Sequence, residues 1–165
     1  MKVLGLLLLA VSVPAVAAFD ARCLGTYQLI SRTPTGFGDE RIAEMAGYYC
    51  GRERLLLKAV RGGFGIWNAD SNNENPMVWF TEGSRNNLSD GEAELVWEKQ
   101  KGKIRPFSAV VEQTGGVRFV PMVITRDVHE IKCDPARGEL TYKITKWHRN
   151  TRDENGSNFC ELRKL

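Results

Sequence analysis

Asp39-Glu40-Arg41-Ile42-Ala43-Glu44-Met45-Ala46-Gly47 is the stretch on which the fold turns. Asp39 suits a helix N-cap. Ile42, Met45 and Tyr49 follow at i, i+3 and i+7, and Gly47 supplies a stop near the end. The spacing predicts one short amphipathic helix and no convincing second. Residues 52–60, with Leu55-Leu56-Leu57, read either as a buried strand or as a turn or two of helix. Strands dominate the rest of the chain. The expected class is therefore α+β, one short helix packed on a twisted antiparallel sheet, and a closed all-β barrel is the alternative.

On either side of that helix the pattern is of strands and turns. Residues 26–31 alternate around Tyr27, Leu29 and Ile30, and Thr33-Pro34-Thr35-Gly36 breaks the run. Residues 61–91 read as a long loop with short strands in it. Gly62-Gly63 and Asn68-Ala69-Asp70-Ser71-Asn72-Asn73 are turn chemistry, and Ile66-Trp67 and 77–80 are apolar islands. Residues 92–99 alternate, with Ala93, Leu95 and Trp97 on one face. Lys101-Gly102 is expected to turn the chain into 104–112, and Gly115-Gly116 into 117–125. Strands at 128–133, 139–147 and 158–162 follow. Phe119-Val120-Pro121-Met122-Val123-Ile124 is apolar on both faces, as in a strand covered from two sides.

The 165 residues amount to one domain, 19–165, behind a signal peptide, 1–18. Lys2, an apolar run and Val16-Ala17-Ala18 form a cleavable export signal, which makes the protein secreted. Cys23, in Asp-Ala-Arg-Cys, lacks the small apolar approach of a lipoprotein cysteine. Without Lys2 the chain holds 22 basic and 20 acidic residues, a net charge of +2. That balance excludes a binder of polyanions of the histone or polybasic kind. With 42% hydrophobic residues the chain is not disordered, and no later apolar run is long enough to span a membrane.

Cys23, Cys50, Cys133 and Cys160 make two disulfides in an exported chain. Their nearest spacing, 27 residues, is far too wide for the close pairs of a zinc site, so no metal is expected. In a simple meander Cys133 and Cys160 lie at opposite ends of a sheet with a strand between them. That disfavours their pairing and, by elimination, Cys23 with Cys50. Of the two arrangements left, Cys23–Cys160 with Cys50–Cys133 is expected, the first tying the two ends of the mature chain.

Ala46-Gly47-Tyr48, then Ile144-Thr145 and His148 after a strand–turn–strand, then Asn158-Phe159-Cys160, together resemble the fungal guanyl-specific ribonucleases and the ribonuclease-like secreted effectors of plant-pathogenic fungi. The likeness covers the helix and the last third of the chain. It implies a helix on an antiparallel sheet, with Arg126 and His148 as the catalytic arginine and general acid. The family's carboxylate base stands two residues before a proline, and here Phe119 precedes Pro121. The family's Tyr-x-His is also missing around Pro106. An aromatic ring cannot take the ribose 2′-hydroxyl proton, so the resemblance implies a scaffold without its catalytic set. The expected function is a monomeric secreted effector with a role in virulence, without cofactor, that binds a host protein or RNA. An active endoribonuclease is one alternative. The other is a secreted carrier or inhibitor with a lipocalin-like barrel, for which Gly25-Thr26-Tyr27 is similar to that family's Gly-x-Trp start.

Binding, in the RNA case, falls to the alternating Lys99, Lys101, Lys103 and Arg105, to a second basic group at Lys143, Lys146, Arg149 and Arg152, and to Trp147 and Phe159 as stacking rings. His129 reads as a solvated or satisfied strand residue. Asp70, Asn72 and Glu74 fail the calcium-loop pattern, since Asn75 and Thr81 stand where glycine and glutamate are needed. The sequons at Asn87 and Asn155 mark two surface loops for glycosylation.

Overall fold

Tight turns at one end and alternating side chains along every strand build a sheet that covers its own apolar face. The computed structural model describes residues 18–36, 53–86, 95–117, 120–148 and 156–165; for 85–86, 95–98, 116–117, 120–125 and 148 it describes the backbone alone. Ten strands follow a 3-10 turn at Ala21–Cys23. They are β1 (Gly25–Thr35), β2 (Arg54–Val60), β3 (Gly63–Asn68), β4 (Val78–Thr81), β5 (Gly83–Asn86), β6 (Leu95–Arg105), β7 (Ser108–Val117), β8 (Val120–Asp134), β9 (Glu139–His148) and β10 (Gly156–Lys164). They form one antiparallel sheet in the order β4-β3-β2-β1-β10-β9-β8-β7-β6-β5. Each strand thus pairs with its chain neighbours, and β10 returns to β1. The ring is complete except between β4 and β5, which the single residue Glu82 joins.

This nearly closed barrel corrects the expected α+β class. Among the described residues no helix lies on the sheet. The helix predicted at 39–47 falls outside them, as do residues 1–17 of the expected signal peptide, Cys50, Phe119 and the sequon asparagines Asn87 and Asn155. The sheet needs no helix to bury its apolar face, because β2, β3 and β4 turn Leu55, Leu57, Phe64, Ile66, Val78 and Phe80 against Ile104, Val111, Ile131 and Tyr142 from the opposite wall. The outside is charged, with Lys99, Lys101, Lys103 and Arg105 exposed along β6.

Two glycine turns expected from sequence are strand interiors. β6 runs straight through Lys101-Gly102 and turns at Pro106-Phe107, and β7 runs through Gly115-Gly116. Likewise β1 continues through Thr33-Pro34-Thr35, where Pro34 lies opposite Asn158. The ambiguous segment at 52–60 is strand β2, and the expected long loop at 61–91 contains β3, β4 and β5.

The lower end of the barrel is plugged by the segment before β1. Asp20 donates its backbone N–H to the Pro106 carbonyl at 2.8 Å, and its carboxylate caps the 3-10 turn by accepting from the Arg22 N–H. Phe19 stacks on Phe64 with centroids 4.2 Å apart, and Phe64 on Phe80 at 4.8 Å. Offset ring pairs of this kind add about 0.5–1.5 kcal/mol each beyond their buried area. Cys23 is joined to Cys133 at the end of β8, a bridge between residues 110 apart in sequence. On the loop-entropy model such a closure contributes about 4.7 kcal/mol.

That bridge corrects the expected Cys23–Cys160 and Cys50–Cys133 pairs. Cys133 is taken by Cys23, so neither is left for Cys160 or Cys50; Cys160 stands on β10, two strands across from Cys133 and one level above it. The exclusion of a Cys133–Cys160 pair stands, and of the two arrangements left the other holds for Cys23, because the segment before β1 crosses the barrel end to β8. Cys160 is itself disulfide-bonded, and its partner lies outside the described residues.

Closure at the β4 seam depends on a close approach. A Cβ on Gly102 would lie 1.9 Å from the Thr81 carbonyl oxygen, so only glycine admits β4 there. Around it, the Gln100 side-chain amide donates to the Trp79 carbonyl at 3.0 Å and to Thr81 Oγ1 at 3.1 Å. The Glu82 carboxylate accepts the Ile104 N–H at 2.6 Å, beyond the point where β5 stops pairing. Gly102→Ala is expected to destabilise the fold by about 3 kcal/mol, the upper part of the usual overpacking range. Gly62→Ala is the comparison: its φ of +82° carries strain of about 1 kcal/mol, but nothing lies within 4 Å of the new carbon. Urea denaturation of both variants gives the two costs, and equal values would show that the seam opens freely.

Candidate functional site

The inward positions of β7, β8, β9 and β10 stand in register, and their chemistry changes with height. The lowest level holds Cys133, Leu140 and Leu162, and the next Ala109, Ile131, Tyr142 and Cys160. Above these lie Val111, His129, Ile144 and Asn158, and above them Gln113, Asp127, Lys146 and Gly156. All are buried. Over four levels, about 20 Å of strand, the interior passes from apolar to polar. The polar end is the one from which the connections 37–52, 69–77, 87–94, 118–119 and 149–155 leave, opposite the plug.

Asp127 and Lys146 face each other across β8 and β9 and form an ion pair whose side chains are 2% and 9% exposed. Burial pushes the Asp127 carboxyl up, and the Lys146 ammonium pulls it back. Burial, and after it the charge of Lys146, push the His129 imidazole down to about 3. The ring is therefore neutral near pH 7. Its Nδ1 shares a 2.7 Å hydrogen bond with the Tyr142 hydroxyl, and the edge of Phe80 meets it from the opposite wall with centroids 6.5 Å apart. Gln113 donates to the Gln100 side-chain oxygen at 3.2 Å, tying this layer to the β4 seam. Asn158, 2% exposed, has a side-chain oxygen with no hydrogen-bond partner among the described residues. Leaving such an acceptor empty costs about 1–3 kcal/mol.

Of these residues only Lys146 was singled out from sequence, as one of a basic group. The signal was nonetheless present. In β9, Leu140, Tyr142 and Ile144 set an inward alternation that lands next on Lys146. In β8, counting back from Cys133 and Ile131 lands on His129 and Asp127. Lys146, expected in an exposed basic group, is buried and paired, while Lys143 of that group is partly exposed on the outer face. His129 is fully buried.

The expected catalytic pair is placed differently. Arg126 is an outward residue whose guanidinium makes two hydrogen bonds to the Glu112 carboxylate, at 2.8 and 2.9 Å, and lies 4.7 Å over the Trp147 ring. In the ladder His148 pairs with Thr125, one step beyond the Arg126–Trp147 pair, and successive steps alternate between the faces of a sheet. The side chain of His148 lies outside the described residues. Lys101, Lys103 and Arg105 are exposed on β6, whereas Trp147 on β9 and Phe159 on β10 stand three and four strands away, about 14 and 19 Å. The structure does not bring these rings to the cations. A shallow groove between β9, β10 and β1, with Ile30, Glu139, Thr141 and Glu161 along it, lies on the outside of the barrel.

Between pH 6.5 and 4.5 the unfolded chain takes up a proton at His129 that the folded barrel refuses. Stability is expected to fall by about 2 kcal/mol across that window. The raised carboxyl of Asp127 acts oppositely, binding its proton more readily in the folded state, so it tempers the loss at the acid end. Urea midpoints at pH 6.5, 5.5 and 4.5 should fall steeply for the native chain and much less for His129→Gln. Equal slopes would mean that the folded barrel accepts the proton. No protein-family model, curated protein or solved structure matches this chain.

Proposed function

We propose that this is an exported, non-enzymatic binding protein whose barrel receives a small polar molecule at the end remote from the Cys23–Cys133 plug. Export is supported by the apolar leader at 1–18 and by the disulfide, which persists in oxidising compartments. The observation that carries the binding role is the polar layer itself. Asn158 holds an empty acceptor one level below a buried Asp127–Lys146 pair, in a barrel whose other half is filled with apolar side chains.

Stability alone does not account for this layer, because well-packed apolar residues in place of a buried ion pair commonly leave a protein as stable or more so. A ligand with an N–H or O–H to give would satisfy Asn158. Ligand sites of this type are apolar cavities with a few convergent polar groups at a barrel mouth. The absence of chemistry is supported by His129, whose imidazole stays neutral through the physiological range and does not cycle a proton there. Arg126, one of the two side chains with an expected catalytic role, is already neutralised by Glu112.

Thermal-shift titration with neutral sugars, polyols, nucleosides and free amino acids tests the proposal. A ligand of the right class, at a hundred times its Kd, adds about 2.7 kcal/mol and raises Tm by roughly 8 °C for a domain of this size. Asn158→Leu should remove that response while the barrel stays folded. If no class moves the native Tm, or if the Leu variant responds unchanged, Asn158 is satisfied by a buried water and the layer is structural.

A further inference from the structure

Lys99, Lys101, Lys103 and Arg105 occupy successive outward positions of β6, all four exposed. Two residues of strand separate each from the next, so the row is straight and about 20 Å long. Not one of the four forms an ion pair among the described residues, whereas Arg22, Arg54, Arg126, Arg137 and Lys146 are each matched to a carboxylate. Two acids lie beside the row: Glu112, opposite Lys101, whose two oxygens Arg126 occupies, and Glu82, whose carboxylate accepts the Ile104 N–H. The remaining cross-strand neighbours, Thr114, Val110 and Ser108, are uncharged. β5 pairs with β6 only as far as Gly102, which leaves Lys103 and Arg105 without a strand on that side. Just past Arg105 the turn presents Phe107, 45% exposed, with the Arg22 guanidinium 5.8 Å from its ring centroid.

We propose that this row binds a single strand of nucleic acid, one cation to each of four successive phosphates, with Phe107 as a stacking platform for a base at the end of the row. The net charge of the chain excludes a protein that is cationic all over, but it does not dilute four unmatched cations on one strand. A duplex carries a second phosphate row across a groove about 12 Å wide. At that lateral distance β8 presents Arg126, Val128, Glu130 and Lys132, in which one cation is already paired and an acid interrupts the rest. An anionic lipid surface needs cations spread in two dimensions, and the same strand denies it that. An exposed ring at the end of a cationic track suits a base, which offers a flat π-face whatever its identity.

Fluorescence anisotropy with labelled twelve-nucleotide oligo-dT and oligo-U, from 50 to 200 mM NaCl, tests the assignment on the full mature chain. Four phosphate contacts predict a log–log salt slope of about −2.8, or binding about 50-fold weaker at the higher salt. Lys101→Gln should reduce the slope by about 0.7. Phe107→Ala should weaken binding by roughly 5-fold or more, equally at every salt concentration. A variant with all four row residues changed to Gln should lose the binding. A control that removes the same number of charges from β1, β2, β10 and the β2–β3 turn, Arg32→Gln, Lys58→Gln, Arg163→Gln and Arg61→Gln, should keep it. Equal losses in the two variants would reduce the effect to net charge and overturn the proposal. So would undetectable binding, tighter binding to the duplex than to the single strand, or a preference for heparin or phosphatidylserine vesicles unaffected by Phe107→Ala.

Discussion

The barrel exists because the Thr81 carbonyl can lie where a side chain at position 102 would otherwise stand. Nine of the ten contacts around the ring are backbone ladders, which any alternating sequence of suitable length can form. At the tenth, between β4 and β5, the chain turns back after one residue and no ladder is possible. There the unpaired backbone groups are answered by side chains, the Gln100 amide on Trp79 and Thr81 and the Glu82 carboxylate on Ile104. Without that contact the apolar faces of β2, β3 and β4 would have nothing to cover. An open sheet would then need the helix that the sequence suggested.

Closure also sets where the polar residues go. Inward positions of a barrel cannot reach water sideways, so each polar side chain there must find a partner inside or at the mouth. At the lower end nothing polar is asked for, since the plug supplies Phe19 and the stack of Phe64 and Phe80. At the upper end Gln100 with Gln113, Asp127 with Lys146 and His129 Nδ1 with Tyr142 are matched in pairs, whereas the Asn158 side-chain oxygen has no hydrogen-bond partner among the described residues. The contrast between an apolar half and a polar half with an empty acceptor is what supports the reading of the upper half as a ligand site. The outer face of β6 is independent of this interior, because successive residues of one strand serve opposite faces. Gln100, Gly102 and Ile104 close the barrel, while Lys99, Lys101, Lys103 and Arg105 meet solvent.

Strands with clean alternation between strong turns were legible from sequence. β9 was expected at 139–147 and runs Glu139–His148. Glycines misled. Gly102 and Gly115 look like turn signals, but Gly102 is there to let another backbone approach, and neither has the positive φ of a turn glycine. The site was missed because Asp127, His129 and Lys146 are polar, and polar residues in an alternating strand are ordinarily assigned to the wet face. Extending the inward set from Leu140, Tyr142 and Ile144 by one step would have found Lys146.

The sequence by itself determined that this chain is mostly strand, one domain in length, stapled by cystine and, along β6, cationic at every second residue. Those properties follow from composition, period-two spacing and chain-local turn chemistry, which need no knowledge of distant residues. Only the tertiary structure decided that the sheet closes, that Cys23 crosses to Cys133, that Arg126 is spent on Glu112, and that a buried ion pair and an empty acceptor share one end of the barrel. Each of these depends on which far-apart segments come to face one another. A one-dimensional pattern fixes the two faces of a strand but not what stands opposite either of them.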